Sequence, residues 1–264
     1  MKELFGHRHF HNEVMTFKQT SEAIEADLEK FKDKYITTLE HDMVVCITDN
    51  PMGLTSFEAL ETIAETGVPI QPEQLLIHLN TFHRKIDLDR MLGEMADAGV
   101  KYILAVSGDG NDRLHRLEPE ELGLTSRNVT SVELIQYIQR EYPGTFTFGV
   151  AFNHYEPQEH EREKLQRKKD AGAEFVITQP VIRHNQNIDW LRSVGLPVII
   201  EAWMTKRIDL VAECVGYELP PEEYDYDPLA NYAALRNAYP DFGIYFAFLG
   251  MKKQILSLNL KELT

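Results

Sequence analysis

Two carboxylates and a carboxamide are the residue types from which an acid–base site could be built. Glu13 lies in FHNEVMTF (10–17), a run that otherwise reads as a buried strand. An ionised acid is costly to desolvate there, so its pKa is expected to rise and suit a general acid near neutral pH. A salt-bridged carboxylate at the edge of a core is the alternative. Asp109 closes Leu-Ala-Val-Ser-Gly-Asp-Gly, where Gly108 lets the backbone approach a ligand closely. The same Gly-Asp pair also serves ordinary turns. Gln179, in Val-Ile-Thr-Gln-Pro, is a neutral donor and acceptor suited to the amide-like edge of a flat heterocycle, or to a plain structural hydrogen bond. Positive charge gathers in EREKLQRKKD (161–170), where Arg167 and Lys168 could hold a diphosphate or simply face solvent.

The run His7-Arg-His9-Phe-His11 raises a metal-dependent hydrolase reading. That site also needs histidines after the fifth and sixth strands, which His154 and His184 could supply, and an acid after the eighth. The eighth strand, Ile-Tyr-Phe-Ala-Phe-Leu-Gly, offers none, so no metal site is expected. Cys46 reads as a small core residue. The chain has no G-x-S-x-G elbow, P-loop or zinc-type cysteine cluster.

The elements that must hold these residues alternate along the chain. Strand patterns fall at 10–17, 43–48, 75–79, 102–106, 147–152, 175–178, 197–201 and 243–249. Helical patterns fall at 21–39 (Ser21 as N-cap), 56–67, 88–98, 131–142, 159–171, 188–194, 208–215, 229–238 and from about 252. Eight strand-then-helix units predict a (β/α)8 TIM barrel forming one domain over 1–264, with 219–228 (LPPEEYDYDP) as a surface excursion. An open doubly wound sheet is the alternative, but it calls for a Gly-rich turn after the first strand, which is missing. In a barrel, chemistry collects at the C-terminal strand ends. That selects Glu13, Thr48, Asp49, Asn50, His78, Asn80, Thr81, Ser107, Gly108, Asp109, Asn153, His154, Gln179 and Glu201.

Charge narrows the partners. With 27 Lys and Arg against 42 Asp and Glu, the 264-residue chain has a formal net charge of −15. That excess repels phosphate backbones and anionic lipid, so neither nucleic acid nor membrane is an expected partner. Two cysteines, no signal-like start and no apolar run of ~18 residues lead to an expected cytoplasmic location. Nothing in the sequence fixes an oligomeric state.

Taken together, the strand ends resemble the methylenetetrahydrofolate reductase family. Asn12-Glu13-Val14 ahead of Thr20-Ser21-Glu22 is similar to the segment carrying the family's catalytic glutamate. Ile47-Thr48-Asp49-Asn50, the strand ending in Gly108-Asp109, and LQRKKDAGAEFVITQ (165–179) follow in the family's order. The resemblance implies a flavin-dependent barrel that reduces 5,10-methylenetetrahydrofolate, or a related C1-pterin, to the 5-methyl form, or runs the reverse. Glu13 would protonate the folate nitrogen, Asp109 would lie near flavin and pterin, and Gln179 would bind the substrate. Thr48, His78, Phe152, Arg167 and Lys168 would lie along FAD, with Ser107, Gly108, Asp109 and His154 completing the cofactor surround. NAD(P)H or a redox partner subunit would supply electrons. Four departures stand against this pattern. Ser107 replaces an expected arginine, Met15-Thr16-Phe17 a proline pair, Glu201-Ala202 a Pro-Gly, and Asp209 an aromatic. They keep a second reading in view, a flavin-free pterin-binding subunit of a C1 complex.

Overall fold

The computed structural model describes residues 4–219, 225–248, 250, 251, 254, 255 and 258. Its strands are β1 (Phe10–Val14), β2 (Val44–Ile47), β3 (Leu75–Leu79), β4 (Tyr102–Ala105), β5 (Thr147–Phe152), β6 (Ala173–Thr178), β7 (Val198–Trp203) and β8 (Gly243–Ala247). The helices among the described residues are α1 (Ile24–Glu40), α2 (Ala59–Thr66), α3 (Lys85–Asp97), α4 (Ser131–Glu141), α5 (Gln158–Asp170), α6 (Gln186–Leu191), α7 (Ile208–Val215) and α8 (Pro228–Ala238). Every strand runs parallel to its neighbours, and β1 pairs with both β2 and β8. The sheet is therefore closed, a (β/α)8 barrel, and the open-sheet alternative falls because it would leave β1 and β8 apart.

Strand parity sorts the apolar residues into two shells. Val45, Ile47, Ile77, Ile103, Val150 and Val176 face outward, where they pack against the helices. Val44, Cys46, Leu76, Tyr102, Leu104, Phe175, Ile177, Ile199 and Tyr245 fill the barrel itself. Gly149 is needed there: a Cβ on it would stand 2.1 Å from the Phe175 ring. Phe5 closes the bottom, tilted against Tyr102 at 4.1 Å between ring centroids. His7 follows it at that end, far from the C-terminal strand ends. Among the described residues no group of three or more His, Cys, Asp or Glu could hold a metal ion.

Local chemistry explains most element ends. Thr130 caps α4 by accepting from Val132 N at 3.2 Å, while Glu133 reaches back to Thr130 N at 2.9 Å. Gly67 ends α2 in the left-handed conformation. Ser21, expected as the α1 cap, is not: the helix starts at Ile24, and the Ser21 hydroxyl accepts from Ala23 N and donates to Asp27. The eighth strand ends at Ala247 rather than 249. Leu249 and most of the expected final helix lie outside the described residues, as does 220–224 within the expected surface excursion.

Candidate active site

The C-terminal ends of the strands enclose a cavity of about 440 Å³. Its floor is built by parity on three adjacent strands. Glu13 points inward from β1, Tyr245 from β8 and Glu201 from β7, and all three line the cavity. The Tyr245 hydroxyl donates to Glu13 Oε2 at 3.0 Å. Burial pushes the Glu13 carboxyl above its ordinary range, against the hydrogen bond from Tyr245 and the charge of Lys34. Burial, reinforced by the charge of Glu13, pushes Glu201 well above that range too. Burial also holds the Tyr245 phenol protonated, so it stays a donor.

The walls offer polar atoms without protein partners. Thr48 Oγ1 and His78 Nε2 are buried and make no hydrogen bond. Burial lowers the His78 pKa to about 4, so at neutral pH it is an uncharged imidazole. Below the floor, burial lowers His11 to about 3, and its Nδ1 lies 3.9 Å from Cys46 Sγ. Gln179 lines the cavity just past β6, its backbone N–H held by Phe152 O at 2.9 Å. Met15, Met52, Trp203, Leu210 and Phe248 supply apolar surface of the kind a flat ring stacks on.

Two loops shape the rim. Asp49 accepts from Asn80 N at 2.8 Å and His83 Nε2 at 2.7 Å, tying the β2 loop to the β3 loop. Burial lowers the His83 pKa, but the charge and hydrogen bond of Asp49 outweigh it and leave a net rise. Gly108, at φ +77°, lies so close to Asn80 that a Cβ would meet the Asn80 Cβ at 2.7 Å. Asp109 follows it onto the exposed rim of the cavity. Ser107 O accepts from Thr81 Oγ1 at 2.8 Å, so the serine contributes fixed backbone and no charge.

Helix α5 differs from the other outer helices, because its inner face buries a carboxylate. Glu161, 2% exposed, accepts from Asn153 N and from Lys164 Nζ, both at 2.9 Å. Lys168 Nζ lies 3.9 Å from the same carboxylate and donates to Ala151 O at 2.6 Å. Burial lowers the Lys168 pKa to about 8 despite the pull of Glu161.

Of the residues to which the family resemblance gave roles, Glu13, Thr48, His78, Ser107, Gly108, Asp109, Lys168 and Gln179 meet around this cavity. Three do not. Arg167 is exposed, because adjacent helical residues point about 100° apart. Phe152 has outward parity and stacks on Trp190 at 6.1 Å, in the helix layer. His154 lines a smaller side pocket with Tyr155, Ile182 and Tyr217, and burial lowers its pKa to about 3. Asp209 pairs with Arg207 at the surface, so Leu210 takes the inward position and Trp203 supplies an aromatic wall. Sequence reasoning missed Lys164, Glu161 and Tyr245. Helical spacing from 161 to 164 and 168, and inward parity at 245, were the available signals.

A family model for methylenetetrahydrofolate reductase matches residues 19–202. The chain belongs to the methylenetetrahydrofolate reductase family. The family match starts after Glu13 and stops before β8, so the floor acid and its phenol lie outside the matched span. Among solved structures, an uncharacterized protein from Clostridium thermocellum that binds two copies of 5-methyl-5,6,7,8-tetrahydrofolic acid is 11% identical, over 96% of this chain and 92% of that one, with a TM-score of 0.62. A dihydropteroate synthase from Xanthomonas albilineans is 15% identical over 98% and 94%, with a TM-score of 0.49. A putative phosphonomutase from Burkholderia cenocepacia J2315 is 11% identical over 96% and 92%, also at 0.49. At 11% identity, the likeness to the Clostridium thermocellum protein is one of barrel fold. No helix among the described residues is long and apolar enough to cross a membrane.

Proposed function

We propose that this chain binds a reduced, C1-carrying pterin of the tetrahydrofolate type in the barrel mouth, with Glu13 as the acid for interconverting the 5,10-methylene and 5-methyl forms. The observation that carries the reading is a carboxyl group on the floor of a ring-sized cavity, hydrogen-bonded by Tyr245 and with its pKa raised by burial. Family membership, and the methyltetrahydrofolate bound by the Clostridium thermocellum protein, support the substrate class. In the reducing direction, the bond from the bridging methylene carbon to one folate nitrogen breaks. That nitrogen takes the Glu13 proton, and the carbon becomes an iminium cation on the other nitrogen. Hydride addition to this carbon completes the methyl group, and Glu13 is left ionised on the floor, to regain a proton from solvent through the mouth. Glu201 and Glu13 together make the floor a favourable place for a cationic intermediate. Gln179, Thr48 and the neutral His78 are the donors and acceptors available to the pterin edge.

FAD, which the family resemblance implies, fits this lining only in part. The unpartnered Thr48 and His78 atoms suit a heterocycle. A diphosphate is another matter. Apart from the floor acids Glu13 and Glu201, whose pKa values are raised, the lining carries three carboxylates (Asp49, Asp109 and Glu161) against two lysines, Lys164 and Lys168, and Glu161 already engages both. Ser107 adds no charge. The charge balance disfavours a dianion, so no step is routed through FAD. The hydride donor is NAD(P)H or a redox partner subunit meeting the mouth. The same misfit favours the second reading, a pterin-binding subunit that turns over only within a C1 complex.

Calorimetric titration with 5-methyltetrahydrofolate, and conversion assays with NAD(P)H, test the proposal. Glu13→Gln is expected to bind the pterin within a few-fold of the parent and to lose C1 conversion by about 10²- to 10⁴-fold. Failure of the parent chain to bind the pterin overturns the reading, and binding without turnover selects the second one. Absorbance between about 350 and about 500 nm, the region expected of a bound flavin, is predicted to be absent. Stoichiometric flavin in the purified protein would show the charge argument to be wrong.

A further inference from the structure

Glu13 serves as an acid only if it carries its proton when the substrate arrives, and the stagger of the barrel sets a second carboxylate beside it. Glu201 on β7 is the ladder partner of Tyr245 on β8, and Tyr245 is the ladder partner of His11 on β1. Glu13 is the next inward residue after His11, and it accepts the Tyr245 hydroxyl at 3.0 Å. The two carboxylates therefore flank one phenol on the floor of one cavity. Cys46 of β2, His78 of β3, Lys34 of α1, Cys214 of α7 and the rim Asp109 are the other titratable groups around this floor. Burial keeps the Cys46 thiol protonated and His78 neutral, and the exposed Cys214 thiol is raised to about 12. Lys34 is therefore the positive charge acting on Glu13, while Lys164 and Lys168 on the cavity wall are paired with Glu161. One half-buried lysine does not compensate two half-buried carboxylates on one cavity floor, and such a pair lowers its free energy by keeping a proton.

We propose that Glu201 is a positioning residue for the acid: it shares one proton with Glu13 across the barrel floor, so that Glu13 meets the substrate protonated. The inference rests on the acid role proposed for Glu13, and it assigns Glu201 to the proton rather than to a ligand's phosphate. The proton delivered to the folate nitrogen comes from this pair, and the pair regains it from solvent through the mouth after product leaves.

Infrared difference spectroscopy of the carboxylic C=O band, recorded as a pH titration of the whole chain, reads the pair without substrate. The Glu13→Gln/Glu201→Gln double variant supplies the blank. In Glu201→Gln, the Glu13 midpoint is expected to fall by at least about one pH unit. The alkaline limb of any C1-conversion profile should move down with it. Glu201→Met, close in volume and without charge, is expected to give the same direction of shift, which separates loss of charge from loss of a hydrogen bond. Thermal melts confirm that each variant is folded before it is titrated. An unchanged Glu13 midpoint in both folded variants overturns the inference. A shifted midpoint in a chain that binds no pterin keeps the proton pair and removes the proposed function. Loss of conversion in Glu13→Gln with an unmoved midpoint in Glu201→Gln does the reverse.

Discussion

Asp109 and Gln179 could be placed at the cavity from sequence because each follows the end of a strand pattern, whereas Glu13, inside the 10–17 pattern, stood out as an acid on a strand that otherwise reads as buried. What the sequence does not carry is side-chain direction. Phe152 and Gln179 both lie at strand ends, yet parity sends Phe152 to Trp190 in the helix layer, while Gln179 lines the cavity. Gly108 shows the same dependence on three dimensions. Its φ of +77° and its closeness to Asn80 leave no room for a Cβ. Gly108→Ala should therefore destabilise the fold by about 1–3 kcal/mol and weaken pterin binding by displacing the rim that bears Asp109. Urea unfolding and calorimetry read the two effects, and a substitution neutral in both would show that the rim relaxes freely.

At the scale of elements, α5 is the informative case, since the sequence shows it only as a run of mixed charge. Folding turns one stripe of that run inward and buries Glu161 between Asn153 N, Lys164 and Lys168. A buried ion pair loses much when one partner is removed, because the other is left desolvated. Glu161→Ala is expected to cost about 3 kcal/mol in urea unfolding, whereas Glu163→Ala, exposed on the same helix, should stay within about 0.5 kcal/mol. Equal effects at the two positions would mean that the stripe is solvated after all. Strand and helix positions were legible to within a few residues, because period-2 and 3.6-residue patterns survive folding. The start of α1 was not, since Ser21 satisfies Ala23 and Asp27 one turn early.

For the molecule as a whole, the −15 charge extends into the mouth, where acids outnumber lysines. The buried ionisable groups make stability depend on pH in two opposing ways. His11, His78 and His154 have folded pKa values depressed below 6.5, so folding excludes their protons. Their contribution is whole above about pH 6.5 and is lost as pH falls, by about 1.4 kcal/mol per unit for each histidine. Glu13 and Glu201 are raised, so the folded state binds protons that the unfolded chain has released. They penalise the fold as pH climbs above the ordinary carboxyl value. Glu201→Gln should thus melt higher than the parent at pH 8, with the advantage shrinking toward pH 4.5 and absent below it. Melting curves across that range check the sign, and an advantage that grows in acid would contradict it.

The alternation of strand and helix patterns by itself favoured the barrel over an open sheet, and with it the end where chemistry gathers, while the pairing of β8 with β1 closed it. Composition set the sign of the field that a ligand meets. Both follow from local rules: periodicity dictates which elements form, and formal charge does not depend on where the chain folds. The proton pair belongs to tertiary structure alone. Glu13 and Glu201 are 188 positions apart in sequence, and only closure of β8 onto β1, with the barrel's stagger, seats them around Tyr245. Burial then changes what the side chains are, turning ordinary carboxylates into groups that hold a proton and a histidine into a neutral hydrogen-bonding wall.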